Sequence, residues 1–290
     1  MNKFAIYSAC IGGYDNIVQP KVIDERFDFF LFTDEVKKQN IGVWQVRQVE
    51  YTNPDKIRIA RYVKTHPHEL LPEYKATLWM DSCIQICSSE LYERVVELSG
   101  RNIDVAAIKH PKRDCIYEEA FEVASRDNPG ALEYDEIALS WCHKLWMEHY
   151  PLHNGLMETG ILYRQNNVIM ADFNAMWWNC IDKYSRRDQL SFNYVLWRLN
   201  PIHSYFFPIG EHAFNSDKVR YMGHSNISKR KALPLSIFQH ARYRFRVRNR
   251  DYAQKQWYAF MKNYCPILLL YSYGTFTAFI YMVCFKLKNS

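Results

Sequence analysis

The sequence contains no CxxC pair, no GxGxxG, GxxxxGK[ST] or GxSxG element, and only 10 glycines and 11 prolines in 290 residues. Without those glycine motifs, a dinucleotide-dependent dehydrogenase, a P-loop kinase and a serine hydrolase lose their main supports. So little glycine and proline excludes collagen-like and low-complexity chains. Cysteines stand at positions 10, 83, 87, 115, 142, 180, 265 and 284 without framework spacing, so reduced thiols are expected rather than a disulfide scaffold or a zinc finger. No internal repeat or linker rich in Gly, Ser or Pro interrupts the chain, and its first sixteen residues read as a strand and turn rather than a signal peptide.

What is present is globular: 48% hydrophobic, 16% aromatic and 23% charged residues, enough apolar surface to bury a core. Charge is unevenly placed. Residues 218–290 hold 14 Lys/Arg against one acid, Asp251, whereas the first 217 carry 23 basic and 30 acidic residues. The expected division is therefore a catalytic-type α/β domain over 1–217 and a basic extension over 218–290. In the extension Arg242, Arg244, Arg246, Arg248 and Arg250 alternate with Tyr243, Phe245 and Val247, the spacing of one strand face. Pro266 to Phe285 follow as twenty residues without formal charge. Together they suggest contact with an anionic membrane surface; a full span and a buried terminal helix stay open for the apolar segment, and a charged edge strand for the stripe.

Strands are expected at Phe4–Cys10, Phe27–Thr33, Trp44–Val49, Ala76–Ile86 with a polar kink at Asp81-Ser82-Cys83, Val105–Ile108 and Gly160–Arg164. Helices are expected from Asn53 (cap) and Pro54 to Pro67, and at Tyr117–Ser125, Tyr134–Tyr150, Ala171–Tyr184 and Gln189–Arg198. Strands alternating with helices indicate a layered α/β fold with a mainly parallel sheet.

Asp81 closes the apolar run Leu78-Trp79-Met80, so its carboxylate is delivered to the carboxyl edge of a sheet, where α/β proteins bind ligands. A carboxylate there suits a divalent metal shared with phosphate oxygens, or the cap of the next segment. A DxD pattern would place an acid at 83, and this chain has Cys83. Asp188 and Gln189 open a helix, where the dipole favours negative charge. Glu158 is the one carboxylate of the Gly-bracketed stretch 153–160, read as a loop before a strand. His66 and His68, flanking Pro67, read as surface rather than as a metal site.

Four stretches carry a family resemblance: Tyr7 to Asp15 (YSACIGGYD), Phe30 to Asp34 (FLFTD), Lys56 to Lys64 (KIRIARYVK) leading to Trp79 to Ile84 (WMDSCI), and Arg187 to Phe192 (RDQLSF). In order and spacing the chain resembles GT-A type glycosyltransferases, most closely the glycosyltransferase-like domain of plant Golgi proteins of mucilage and pectin formation and of bacterial polysaccharide clusters. The resemblance spans residues 7 to about 197 and implies a GT-A, Rossmann-like three-layer sandwich. It also implies that Ala9, Gly12, Tyr14, Asp15, Thr33 and Asp34 hold the nucleoside of a nucleotide-sugar donor. Lys56, Arg58 and Arg61, on one side of their helix, would reach its diphosphate, and Asp81 would coordinate metal or donor sugar. Glu158 and Asp188 would border the sugars, either able to act as base, with Gln189 beside the reacting carbon; inversion and retention both stay open.

Glycosyl transfer needs carboxylates near the ring and cations near the leaving diphosphate. Here the cations would be Mn2+ or Mg2+ on Asp81, with His224 and the basic residues near it as further candidates. The leading expectation is a cytoplasmic glycosyltransferase, peripheral on the inner face of the membrane, acting on a glycan or lipid-linked acceptor in surface polysaccharide synthesis. The competing reading is a non-enzymatic membrane- or nucleic-acid-binding protein working through the Arg242–Arg250 stripe; no nucleic-acid-binding motif supports a nucleic-acid partner. A sugar-phosphate transferase with the same donor site is a third.

Overall fold

The computed structural model describes residues 4–125, 135–207, 216–224 and 244–264. They fall into two compact units, one drawing on 4–112 and 156–224, the other on 113–155 and 244–264. This division differs from a cut at residue 217: the stretch 113–155 groups with the C-terminal residues, and 218–224 with the first unit.

The first unit is built on an eight-stranded sheet in the order β3 (Asn40–Ile41), β4 (Trp44–Gln48), β2 (Phe27–Thr33), β1 (Phe4–Ala9), β5 (Ala76–Met80), β8 (Met157–Gln165), β7 (Val105–Lys109), β9 (Ser204–Phe207). β1 and β5 are buried along their whole length and β2 along most of it, which is why they read as continuous apolar runs: both faces are covered. On one face Phe4, Ile6, Phe27, Phe29, Leu31 and Leu78 pack with Leu91, Tyr92, Val95 and Leu98 of α3 (Glu90–Gly100). On the other, Tyr7 and Trp79 meet side chains of α1 (Lys56–Thr65) and β8. α1 lies against α6 (Val168–Lys183), and α6 against α7 (Gln189–Arg198). The parallel expectation holds for β4–β2–β1–β5 and for β7–β9, while β3–β4, β5–β8 and β8–β7 run antiparallel, so the sheet is mixed.

Local chemistry shifts several boundaries. α1 begins at Lys56 because Asp55 caps it, its Oδ1 accepting from the Ile57 N–H at 3.0 Å; Asn53 instead accepts from the Asp55 N–H at 2.8 Å one turn earlier. Pro67, expected to end that helix, starts the short α2 (Pro67–Leu70). His66 is buried at this junction, its ring stacked 3.9 Å from that of Tyr62, against the surface expectation.

The strand expected over 76–86 is two strands in two sheets. β5 stops at Met80, the chain turns with the Ile84 N–H donating to the Asp81 carbonyl at 2.9 Å, and β6 (Ile84–Ile86) pairs antiparallel with β10 (Val219–Tyr221). β8 is longer than the expected 160–164 and takes in Glu158. Its register on β7 jumps from Leu162, opposite Ala107, to Glu158, opposite Ile108, while Ile161 still pairs with Met80. A bulge of this kind re-aims side chains beside a site.

The second unit contains α4 (Ile116–Ala124), α5 (Asp135–Met147) and α8 (Arg250–Lys262). Phe121 and Trp257 pack edge to face at 5.8 Å, and His143 Nδ1 lies 2.8 Å from the Met261 carbonyl. Residues 244–248 are helical, so Arg244, Arg246 and Arg248 do not share a strand face. Alternate residues on a helix point about 200° apart. Accordingly Arg246 is buried, 6.0 Å from the Trp257 ring, while Arg244, Arg248 and Arg250 are exposed. Arg242 and the apolar run 266–285 lie outside the described residues. Among the described residues no helix is long and apolar enough to cross a membrane.

In this unit Glu119 is fully buried and receives Arg113 Nε at 2.7 Å. Arg113→Ala removes this charge-assisted bond to a buried carboxylate and is expected to lower stability by about 1.5 to 3 kcal/mol, read as a lower urea midpoint; an unchanged midpoint refutes the assignment.

Candidate functional site

The carboxyl ends of β1, β2 and β5 meet the side chains of α1, and the centre of this meeting is an ion pair. Lys64, 1% exposed on the buried face of α1, places Nζ 2.5 Å from Asp188 Oδ2. The same Asp188 oxygen accepts the Thr159 hydroxyl at 2.8 Å, and Asp188 Oδ1 faces Arg61 Nη2 at 3.4 Å. Arg61 and Lys64 are three residues apart and so project from one face of α1. The Asp188 carbonyl accepts the Trp177 indole N–H at 3.1 Å. Although Asp188 precedes α7, its side chain makes no cap hydrogen bond. Burial pushes its carboxyl up, but Arg61 and Lys64 outweigh burial and hold it well below the usual carboxylate range. A carboxylate bound this way is a weak proton acceptor, so of the two carboxylates for which the base role was left open, Asp188 fits an anchoring anion better. Gln189 follows it, buried as the first residue of α7.

Lys64 itself is fixed from behind. Its carbonyl accepts from the Tyr7 hydroxyl at 2.8 Å and from the buried Arg164 guanidinium, which also bonds Tyr7 and, at 2.7 Å, Asn174 Oδ1. In front, Nζ lies 3.9 Å from Asp81 Oδ1. Asp81 is the accessible carboxylate of the pair, 38% exposed against 3% for Asp188. It is oriented by the Trp79 indole N–H, which donates to Oδ1 at 2.8 Å, and its own N–H bonds the Gly160 carbonyl at 2.9 Å. Glu158 sits in β8 and is buried, a strand residue rather than the loop residue expected.

At the neighbouring strand ends Gly12 and Gly13 take φ of +69° and +60°, a conformation that favours glycine. The turn lets the Gly12 N–H donate to Asp34 Oδ1 at 2.8 Å, while Lys56 Nζ reaches Asp34 Oδ2 at 2.6 Å. Burial pushes the Asp34 carboxyl up, and these two donors bring it below its ordinary value. Ala9 ends β1, buried, and Thr33 ends β2, its hydroxyl 3.4 Å from the Glu35 N–H. Lys56, Arg58 and Arg61 do not share one side of α1. Arg58 donates to the carbonyls of Ile181, Asp182 (3.0 Å) and Tyr184 (3.1 Å) at the end of α6, so it braces two helices instead of facing the strand ends.

The donors that fit a metal are not those of a DxD pattern. Among the described residues of the first unit, Asp15, Cys83 and His224 offer a carboxylate oxygen, a sulfur and a ring nitrogen all within 4.8 Å of one another. Asp81 lies outside this set. His224 Nδ1 is 3.2 Å from both Asp15 oxygens, and the Ser82 hydroxyl donates to Asp15 Oδ2 at 2.8 Å. Tyr14 packs on the His224 ring at 4.8 Å between centroids. His224 arrives because β10 pairs with β6 and the Met222 N–H bonds the Cys83 carbonyl at 2.8 Å. Asp15, expected at the nucleoside, and His224, expected at the metal, thus share one cluster.

A family model described as the TOD1/MUCI70 glycosyltransferase-like domain matches residues 1–219. The chain belongs to this family. A probable hexosyltransferase MUCI70 of Arabidopsis thaliana is 23% identical over 218 residues, covering 66% of this chain and 36% of that protein. Alkaline ceramidase TOD1 of the same plant is 25% identical over 227 residues, covering 68% of this chain and 48% of that protein. The chain therefore spans less than half the length of either plant relative. Among solved structures, the WbbM bifunctional glycosyltransferase in its apo form aligns over 71% of this chain and 38% of that one, with a TM-score of 0.44 and 12% identity.

For this family member, sequence reasoning missed Lys64, Thr159 and Ser82. A lysine within the buried run Val63-Lys64-Thr65, one turn after Arg61, was the available signal for the first. Replacing Asp188 with Asn leaves Lys64 buried without its carboxylate and is expected to cost about 3 to 5 kcal/mol at pH 7, measured by urea denaturation. The native carboxyl is depressed, so its contribution is complete above the unfolded value of about 4 and is lost as pH falls below it. The gap between wild type and Asp188→Asn therefore narrows from pH 5 downward; a gap independent of pH rules out the ionised pair.

Proposed function

We propose that this chain transfers a sugar, most simply a hexosyl group, from a nucleotide-sugar donor to a glycan or lipid-linked acceptor. The observation that carries the reading is Asp81: a partly exposed carboxylate at the carboxyl end of β5, steered by the Trp79 indole and by Lys64 behind it. Such a group is placed to hold sugar hydroxyls or to face a sugar ring as positive charge develops there. Family membership agrees with this reaction class. Asp34, bonded to Gly12 and Lys56, closes the neighbouring strand ends and suits hydrogen bonding to a nucleoside. Lys64 and Arg61 supply positive charge next to Asp81, with Asp188 fixing both. Asp15, Cys83 and His224 would hold a divalent metal, which when bound neutralises charge on the departing diphosphate.

Glu158 and Gln189 belong to this proposal as groups near the sugars, and surface-polysaccharide synthesis on the inner face of the cytoplasmic membrane as its setting. What supports the setting is the excess of basic residues in 218–290, 14 Lys/Arg against one acid, and the uncharged run 266–285. A second reading, hydrolysis of an amide-linked lipid, is what the name of the ceramidase relative says of that protein; a nitrogen, sulfur and oxygen donor set is the feature here that favours it.

Thermal shift of the full chain with UDP-, GDP-, CMP- and ADP-sugars, with product analysis by mass spectrometry, tests the proposal. One donor at about 100 times its Kd is expected to raise Tm by roughly 5 °C in wild type and much less in Asp81→Ala. No stabilising donor and no glycosyl product overturns it; release of fatty acid from ceramide establishes the hydrolytic reading instead. Sedimentation with vesicles containing anionic phospholipid is expected to show binding that weakens as salt rises, and binding indifferent to salt or absent removes the membrane setting.

A further inference from the structure

We infer that Asp15, Cys83 and His224 form a site for a thiolate-accepting divalent metal of the Zn2+ or Co2+ type, one that disfavours Mg2+ and leaves Asp81 uncoordinated. The inference deepens the donor-site reading, but its test involves no sugar nucleotide.

The argument begins with the donors. One carboxylate oxygen, one sulfur and one imidazole nitrogen converge within 4.8 Å, a spread that small side-chain movements close to tetrahedral ligand spacing. Mg2+ demands a near-octahedral oxygen shell, whereas sulfur and imidazole ligands suit Zn2+ and its neighbours. Two of the donors are withdrawn from solvent, Asp15 at 8% and Cys83 at 3% exposure, so the cluster is a built site and not a chance surface grouping.

The surroundings orient each ligand. The Ser82 hydroxyl donates to Asp15 Oδ2 at 2.8 Å, the outer partner that a ligating carboxylate commonly has. Rings of Tyr14 and Tyr221 lie 4.8 and 5.8 Å from the His224 ring, and the Met222 N–H holds the chain before His224 to the Cys83 carbonyl at 2.8 Å. Asp81 is not one of the converging donors, and its Oδ1 is engaged by the Trp79 indole at 2.8 Å and lies 3.9 Å from Lys64 Nζ. A cation beside that ammonium would be repelled, whereas one at Cys83 meets a sulfur donor and a carboxylate. On binding, the sulfur lone pair forms the metal–sulfur bond and the thiol proton passes to solvent; no electron is transferred. Three protein ligands leave a fourth position for water or a phosphate oxygen, the pattern of an open rather than a purely structural site.

The experiment is a Co2+ titration of the full chain after chelator treatment, followed by optical absorption. A second, exposed cluster of Asp114, Glu118 and His153 in the other unit offers no sulfur, and a His153→Ala background keeps it from contributing. Expected are a near-ultraviolet thiolate-to-cobalt charge-transfer band at one equivalent, displaced by stoichiometric Zn2+ and not by a large excess of Mg2+. Cys83→Ser abolishes the band and weakens Zn2+ binding at least tenfold, and His224→Ala weakens it similarly, with circular dichroism unchanged. Cys83→Asp removes the band and shifts preference toward Mn2+ and Mg2+. Cobalt bound without a charge-transfer band, no cobalt bound by the folded protein, or Zn2+ affinity unaltered in Cys83→Ser overturns the inference. Failure of every donor to bind a protein that still shows the band counts against the transfer reading alone.

Discussion

The site depends on one buried ion pair, Lys64 with Asp188. A lysine and an aspartate at 1% and 3% exposure are costly to bury, and only close pairing with further hydrogen bonds offsets the lost hydration. Here the further hydrogen bond comes from Thr159 on β8 and a second ion pair from Arg61 on α1, so one carboxylate ties together α1, β8 and the start of α7. Tyr7 and Arg164 complete the arrangement by gripping the Lys64 carbonyl, which fixes the end of α1 against β1 and β8. Because the cation is shared with Asp81 at 3.9 Å, the pair also sets the charge beside the exposed carboxylate. Two aspartates that look alike in sequence thereby differ in kind: one is a buried counter-ion and the other faces solvent.

The second constraint is the break after Met80. Had β5 continued to Ile86, Cys83 would be an ordinary strand residue. Instead the chain turns at Asp81 and Ser82, β6 leaves the main sheet, and β10 adds to it from more than 130 residues later. That pairing brings His224 from the basic extension onto Asp15 and Ser82-Cys83. A boundary at residue 217, placed by charge, therefore separates His224 from the Asp15 it touches: charge asymmetry records composition, while strand pairing records position.

β1, β2 and β5 were readable because burial on both faces makes their residues uniformly apolar, a pattern independent of partners. Asp81 was readable for the same reason, as the first polar residue after such a run, and the Gly12-Gly13 turn because only a few residues accept its φ. The antiparallel β8 was not, since strand direction follows from which neighbour is available and not from the strand's own residues. Its bulge hid Glu158 in what read as a loop, because a register jump destroys the alternation by which strands are recognised. The arginine stripe misled in the opposite way. Five arginines at every second position satisfy a strand template, yet arginine is a good helix former, and in the described part helix won. Arg58 shows the limit for single residues: its type suits phosphate, and only the end of α6 beside it shows that its donors are committed.

Cys83 carries the argument furthest from the sequence pattern. Against a DxD template it is a defect, a missing carboxylate two residues after Asp81. With Asp15 and His224 within 4.8 Å, the same residue supplies a third donor, and the carboxylate contribution comes from Asp15 across the turn. The substitution changes the hardness of the donor set rather than emptying it. It would also leave Asp81 outside the ligand set, in keeping with the Trp79 and Lys64 contacts of its Oδ1. Under the proposed metal site, the metal-ligating and sugar-facing roles that one carboxylate would share in a DxD arrangement would fall to different residues: the first to Asp15, Cys83 and His224, the second to Asp81 on its lysine support.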